Sequence, residues 1–390
     1  MGPFADFRSF MQVCEQMGEI KRIEGADWNL EIGALTEVTA ELIPEPPMLI
    51  FDKIKGYPAG FRVATLPLAS AKRMAVTLGL PPEKRKLELV QLAAQKIKTA
   101  QPIPPKEVAD GPIMENVLAG DQADLFIFPT PLFHAKDGGR YIGTGDSLIC
   151  RDPETGYINM GTYRMQIHDK NLLGLWMSPG QDGRMVCQKY WKQGKSCPVA
   201  AVFGGDMLTF IASYTKIPWG DSELHFAGGL LGRPIEVIKG PLTGLPIPAH
   251  AEIAIEGEIP PPEAESRNEG PFGEWPGYYS GGSIGTGRPQ PVIRVHAVYH
   301  RHHPILHNSA PMWPGANHIE GISIRAGLLW DQLEKCGIQG ITGVYMHQPY
   351  LVAIAVRQLY AGHARQVGMA ALGCSAAARN GRYVVVVDDD

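Results

Sequence analysis

Charge is scarce in this chain of 390 residues: Asp, Glu, Lys and Arg make up 19% of it and nearly cancel, for a net charge of −4. A protein that grips nucleic acid by its phosphates needs a basic field, which this composition cannot supply. Long apolar runs are missing as well, and no stretch approaches the 18 or so residues that cross a bilayer. The opening MGPFADFRSF has neither the basic region nor the apolar core of a secretory signal. The six cysteines, at 14, 150, 187, 197, 336 and 374, form no CxxC pair. That spacing argues against a disulfide framework or a zinc knuckle and leads us to expect reduced thiols and a cytoplasmic protein. There is no GxGxxG and no phosphate-binding P-loop, so nothing announces a dinucleotide or nucleoside triphosphate. What is plentiful is glycine (45) and proline (33), against an ordinary 44% of hydrophobic residues. With no short repeat, that excess describes a folded chain rich in turns and shaped loops.

The hydrophobic pattern changes twice along the chain. In residues 1–110, helix and strand signals alternate. Phe7, Phe10, Met11, Cys14 and Met17 recur at helical spacing before Gly18, a second helix is expected over 30–43, MLIFDKI reads as a strand, and Leu89, Leu92, Ala93 and Ile97 mark another helix. From 111 to 315 short strands dominate. YIGTGDSLICRD and YINMGTYRMQIHD flank DPETG, a hairpin turn, and PVAAVFG, PIEVIKG, AEIAIEGEI and VIRVHAVYH follow, a pattern that favours a barrel or sandwich. Residues 316–390 return to α/β: YLVAIAV, GHARQVGMAALG and YVVVV read as a βαβ crossover between buried strands. A buried parallel strand is normally followed by a covering element, so this last unit is expected to be cut short.

The sharpest chemical signal is SRNEGPFGEWPGYYSGG, which carries Glu269 and Glu274 five residues apart among glycines and a proline. On a helix or a flat strand, that spacing aims the two side chains apart; only a loop can converge them. The neighbouring Phe272, Trp275, Tyr278 and Tyr279 suggest an aromatic wall. A carboxyl behind such a wall loses hydration and holds its proton nearer neutrality. In INMGTYRMQIHDKN, Asn159 and Arg164 are also five apart and would face opposite ways on a regular strand; a bulge at Gly161, or a ligand lying along the strand edge, could reconcile them. Arg164 is suited to anchoring a carboxylate bidentately. HRHH (300–303) reads as a hairpin tip rather than a metal tract, and His168 as structural.

Taken together, NxxxxR with QxHDKN, then R-NEGPFGEW-GYY, with GGRYI, DPETG and IPAHAEIAIEGEI, resemble the UbiD-like decarboxylases that use prenylated FMN, over essentially the whole chain. The resemblance implies an α/β N-terminal domain, a central split β-barrel that binds the flavin, and a C-terminal α/β domain that oligomerises. It implies reversible, non-oxidative decarboxylation of an aromatic, heteroaromatic or α,β-unsaturated acid, with CO₂ as the other small molecule and a flavin prenyltransferase supplying the cofactor. Arg164, Glu269 and Glu274 would be the catalytic Glu-Arg-Glu network, with Glu274 the proton donor. Asn159 and Glu223 would hold manganese against the cofactor phosphate; Gln181 or Asp182 stands where some relatives carry a ligating histidine, and Gln181 is the one expected to ligate. Ala212, Ser213 and Thr215 would bind potassium. Gly161, Thr162, Tyr163 and Arg164 would line the cofactor, Arg357 would reach its phosphate, and Asn317 and His318 fall where substrate choice is shaped. Two other readings stand beside this one: a non-catalytic flavin-binding subunit of a carboxylase complex, and a hydrolase using the two acids across a sugar-sized cleft.

Overall fold

The computed structural model describes residues 4–274, 277–281, 287–311, 321–347, 350–378 and 381–389. The first helix, α1 (Phe7–Gln16), starts on a reciprocal cap: Asp6 accepts the Ser9 amide and Ser9 Oγ accepts the Asp6 amide. It buries Phe7, Phe10, Met11 and Cys14, as their spacing predicts, and stops before Gly18, whose φ of +71° suits glycine. β1 (Ile20–Glu24), α2 (Glu31–Leu42), β2 (Met48–Asp52) and β3 (Arg62–Thr65) follow, then α3 (Ala71–Thr77) and α4 (Lys86–Thr99). β1, β2 and β3 form a small sheet, completed on its far side by Ile305–His307.

The middle of the chain builds one large antiparallel sheet. Its main strands are β4 (Tyr141–Gly143), β5 (Asp146–Arg151), β6 (Ile158–Gly161), β7 (Arg164–Asp169), β8 (Leu172–Trp176), β9 (Cys197–Phe203), β10 (Ile253–Ile259) and β11 (Arg288–His300). Their order is β4-β7-β8-β11-β10-β9-β5-β6, and Asn116–Ala119 and Ser266–Glu269 pair along β11. That order forces the sheet to curl. β6 and β7 are six strands apart along the path, about 29 Å if the sheet lay flat. Yet only Thr162 and Tyr163 separate them in sequence, a span of at most about 11 Å. The ends of the sheet must therefore approach each other. Burial agrees: on β9, Val199, Ala201 and Phe203 join one apolar core while Ala200 and Val202 join another, so both faces are covered.

Three helices between these strands matter for the site: α5 (Asp182–Trp191), α6 (Met207–Tyr214) and α7 (Glu223–Leu231). DPETG does link two paired strands, β5 and β6. HRHH does not make a hairpin tip. β11 ends at His300, and Ile305–His307 pairs with β3 of the N-terminal sheet, so the tract is a crossover between sheets. Arg301 there is tied to Asp6 and Glu252. No group of three potential ligands surrounds a metal position among the described residues.

The C-terminal unit contains α8 (Ile324–Lys335), β12 (Ile341–His347), β13 (Leu351–Val356), α9 (His363–Gly373) and β14 (Tyr383–Val387). β13 and β14 are parallel around α9, the expected crossover. β14 is not buried, however: it is an edge strand that leaves Tyr383, Val385 and Val387 exposed. A valine run fits any pleated, half-covered surface and does not by itself require burial. The reason for expecting a cut-short domain therefore falls away. Among the described residues, no helix is long and apolar enough to cross a membrane.

Candidate active site

Asn159 and Arg164 are not on one strand. Asn159 lies on β6 and Arg164 opens β7, so the two-residue link across the closing edge of the sheet sets their directions. No bulge at Gly161 is needed. Gly161 has a different duty: a Cβ there would sit 2.5 Å from the Tyr163 hydroxyl. The same hydroxyl accepts the Gly183 amide at 3.0 Å, so buried Tyr163 joins the strand link to the start of α5. Burial pushes its phenol well above the usual value.

The loop does converge the two acids, and it converges them on Arg164. Nε and Nη2 of Arg164 donate to the two oxygens of Glu269 at 2.7 and 2.9 Å, and Nη1 donates to Glu274 Oε1 at 2.5 Å. Ser280 Oγ also donates to Glu274 Oε1, at 2.6 Å. Glu269 ends a strand paired with β11, and Gly270 then turns the chain at φ +92°, a region open to glycine. Gln166, the glutamine of QxHDKN, fastens that turn: its Oε1 accepts the Gly270 amide and its Nε2 donates to Gly138 O. Glu269 is 1% exposed and Glu274 16%, so one carboxylate is sealed and the other reaches the edge of solvent. Burial alone would lower the Arg164 pKa; the Glu269 hydrogen bonds and both carboxylate charges outweigh it and raise it.

The aromatic wall is only partly the one expected: Phe272 belongs to it, as its place in the loop suggested. Arg164 packs over Phe272 at 4.4 Å, with Trp176 and Tyr141 at 5.5 and 5.9 Å. Tyr278 and Tyr279 are largely exposed, and Trp275 lies outside the described residues. Tyr141 and Trp176 come from β4 and β8, which only the sheet order could bring to the loop. The bidentate edge of Arg164 is also spent on Glu269, so it cannot clamp a substrate carboxylate with two bonds. A single guanidinium bridges the two acids, an arrangement that gives the hydrolase reading no support.

A second polar cluster lies across the β6 end of the sheet. Glu223 opens α7, and its Oε2 accepts the Met160 amide at 2.9 Å while Oε1 faces Asn159 Nδ2 at 3.4 Å. Burial raises the Glu223 carboxyl to about 8. Among the described residues, no cation bonds to it. Asp182 and Lys216 both act on its charge, so both lie within electrostatic reach; Lys216 Nζ donates to the Asp182 oxygens at 2.6 and 2.8 Å. Gln181 is directed elsewhere, because its Oε1 accepts the Ser178 amide at 2.6 Å and caps a turn. The expected ligand Gln181 is thus turned away, whereas its neighbour Asp182 lies within electrostatic reach of Glu223. Lys216 and Asp146 were not singled out from sequence. Asp146 is a single buried acid with no motif around it to give it away.

Ala212, Ser213 and Thr215 end α6 beside Thr162. Thr162 N donates to Ser213 O at 3.2 Å, their hydroxyls lie 2.8 Å apart, and Thr162 Oγ1 donates to Asp146 O. Thr215 Oγ1 is held by Ile211 O. Arg357 is not brought to either cluster: its side chain is 72% exposed and faces Asp389. Asn317 and His318 lie outside the described residues.

A curled antiparallel sheet set between two α/β units matches the fold of solved UbiD-class enzymes. The chain belongs to the UbiD family. The model of the 3-octaprenyl-4-hydroxybenzoate carboxy-lyase Rift-related domain matches residues 106–314, the N-terminal domain model 11–93 and the C-terminal domain model 319–390. The C-terminal domain is thus present, contrary to the expectation of truncation. Among curated relatives, a pyrrole-2-carboxylic acid decarboxylase from Pseudomonas aeruginosa is 35% identical, over 85% of this chain and 67% of its own length. A phenolic acid decarboxylase from Streptomyces sp. (strain D7) is 32% identical, over 99% of this chain and 81% of its own. Among solved structures, an evolved dimeric form of the UbiD-class enzyme HmfF from Pelotomaculum thermopropionicum, in complex with prFMN, superimposes with a TM-score of 0.86. The match covers 99% of this chain and 86% of that one, at 28% identity.

Proposed function

We propose that this protein decarboxylates an aromatic or heteroaromatic carboxylic acid, reversibly and without net oxidation, using prenylated FMN. The observation that carries the reading is the Glu269–Arg164–Glu274 cluster, intact and desolvated on the inner end of β7. An intact cluster is what a catalyst needs and a merely cofactor-binding subunit does not. Relatives named for pyrrole-2-carboxylic and phenolic acids support the substrate class.

The donor set would suit a divalent metal ion. A buried carboxylate and a carboxamide, all oxygen chemistry on the ligating side, suit a hard divalent ion such as manganese, and the raised Glu223 carboxyl would ionise on binding it. Asn159 and Glu223 would hold the ion, with Asp182 as the third oxygen donor; the carbonyl-rich end of α6 at Ala212, Ser213 and Thr215 suits potassium. When bound, prenylated FMN supplies the electron sink for the pair released with CO₂. The chain does the rest. Arg164 is held charged by Glu269 and presents its positive charge to the substrate carboxylate, with Nη1 already donating to Glu274 and Ser280. Tyr141, Phe272 and Trp176 exclude water around it. Both donors to Glu274 take Oε1, which leaves Oε2 to carry the proton and deliver it after CO₂ departs.

We further propose domain boundaries near residues 110 and 315, a cytoplasmic location, cofactor supply by a flavin prenyltransferase and a homo-oligomer built on the C-terminal unit. The direct test is co-production with a flavin prenyltransferase, followed by measurement of CO₂ release from a panel of aryl, heteroaryl and acrylic acids. Flavin-loaded protein that releases CO₂ from one acid class supports the reading, and loaded protein inert on all of them overturns it.

A further inference from the structure

We propose that His134 is a positioning residue that braces the Glu274 loop from behind, holding it most firmly when the imidazole is protonated. The segment from Phe133 to Gly138 lies directly under the loop. Asp137 Oδ1 accepts the Gly273 amide at 2.9 Å, and Gly138 N donates to Pro271 O at 2.7 Å. Contact is so close that a Cβ on Gly138 would lie 2.1 Å from Gly270 O, and one on Gly273 would lie 2.7 Å from His134 Nδ1. The imidazole also meets the Tyr279 ring edge-on, with centroids 6.4 Å apart. It therefore touches both legs of the loop. Gly273 immediately precedes Glu274, and Tyr279 immediately precedes Ser280, whose hydroxyl holds Glu274.

The charged groups facing His134 come from three directions. On its own segment, Asp137 Oδ2 accepts the His134 amide at 3.1 Å and stands 3.5 Å from Nδ1, an ion-pair rather than a hydrogen-bond distance. From α2, Glu37 Oε2 lies 3.9 Å from Nε2. On the loop side is the phenol of Tyr279, with Lys136 Nζ 6.0 Å over its ring. Among the described residues, two carboxylates face the imidazole, and the nearby Lys136 ammonium is directed at Tyr279. Burial opposes the imidazolium, yet Asp137, Glu37 and a hydrogen bond to the Pro311 backbone together outweigh it and raise the His134 pKa above its usual 6.5. A raised histidine stabilises its surroundings fully below the unfolded-state value and loses that contribution as pH rises through the folded-state value. The brace is therefore tight in mild acid and slackens on the alkaline side.

The consequence for rate rests on Glu274 being the proton donor; the consequence for loop order does not. Hydrogen exchange of the segment carrying Gly273 and Tyr279, corrected for intrinsic rates, is to be followed from about pH 5.5 to 8.5 on the cofactor-free full chain. Wild type should lose protection with rising pH, with a midpoint matching the His134 titration seen by NMR. His134→Gln should show low, pH-independent protection. Should that variant fail to fold, Glu37→Gln provides the second reading: the midpoint moves to lower pH. On an acid the enzyme accepts, His134→Gln should lower kcat by about ten- to a hundredfold in mild acid with KM little changed, the size expected when a donor is misplaced by an ångström or less. Wild-type protection that does not vary with pH, or a midpoint unmoved by Glu37→Gln, overturns the brace. Titrating protection in a protein that decarboxylates nothing would instead overturn the functional reading and leave the brace standing.

Discussion

Glu274 and Glu269 are the same residue type on the same arginine, and their surroundings give them different work. Glu274→Gln retains an oxygen for Arg164 Nη1 and Ser280 but has no proton to give. It should bind cofactor and acid normally while turnover falls by about 10²–10⁴-fold, the usual worth of a general acid. Wild-type turnover at neutral pH in that variant would move the proton to Glu269 or to water. Glu269→Ala should fail differently. It strands the Arg164 guanidinium, 5% exposed, without its bidentate partner. Breaking a buried pair in this way costs about 3–5 kcal/mol, so a melting temperature several degrees lower is expected along with lost activity. A thermal melt separates the two cases.

At the level of single elements, β5 contains a group whose titration should be visible in stability. Asp146, its first residue, is fully buried; Oδ2 accepts the Tyr163 amide at 3.3 Å and Oδ1 has no hydrogen-bond partner among the described residues. Burial raises its carboxyl from 3.8 to about 8. Across that window the folded chain holds a proton that the unfolded chain has released, so this group's contribution to stability falls as pH rises from about 4 to 8. Asp146→Asn cannot titrate. Its melting temperature should decline less steeply over the same range, with the variant gaining on wild type towards pH 8. Parallel curves would show that Asp146 is already ionised in the fold. The strand link Thr162–Tyr163, which Asp146 holds by its carboxylate and its carbonyl, is the element such a change would loosen first.

For the whole molecule, the proposed metal site draws on β6, α5 and α7, and an ion held there should tie these parts together. Manganese at 100 times its dissociation constant would add about 2.7 kcal/mol to the folded state. A melt with and without the ion should show the gain in wild type and none in Glu223→Ala, and metal analysis should find the variant empty. An equal manganese-induced shift in both proteins would take Glu223 out of the site. The same cluster carries a pH expectation: Glu223 must ionise to bind, so affinity should rise as pH approaches about 8.

The sequence by itself determined the elements and the family. The α1 face, the β5–β6 hairpin at DPETG, the crossover around α9 and the convergence of Glu269 and Glu274 are all decided by residues within a few positions of one another, where spacing and turn chemistry act directly. It also identified the residues of the acid cluster, because they sit in long, distinctive motifs. Only the tertiary structure decided which surfaces meet. Tyr141 and Trp176 wall Arg164, Asp182 and not Gln181 joins Glu223, HRHH crosses between sheets, and the valines of β14 face solvent. Each of these outcomes depends on how strands and sheets pair, and the first two also on the curl that brings β6 near β7. Contacts of that kind join positions far apart in the chain, and hydrophobic periodicity, which records only that a face is covered, carries no information about what covers it.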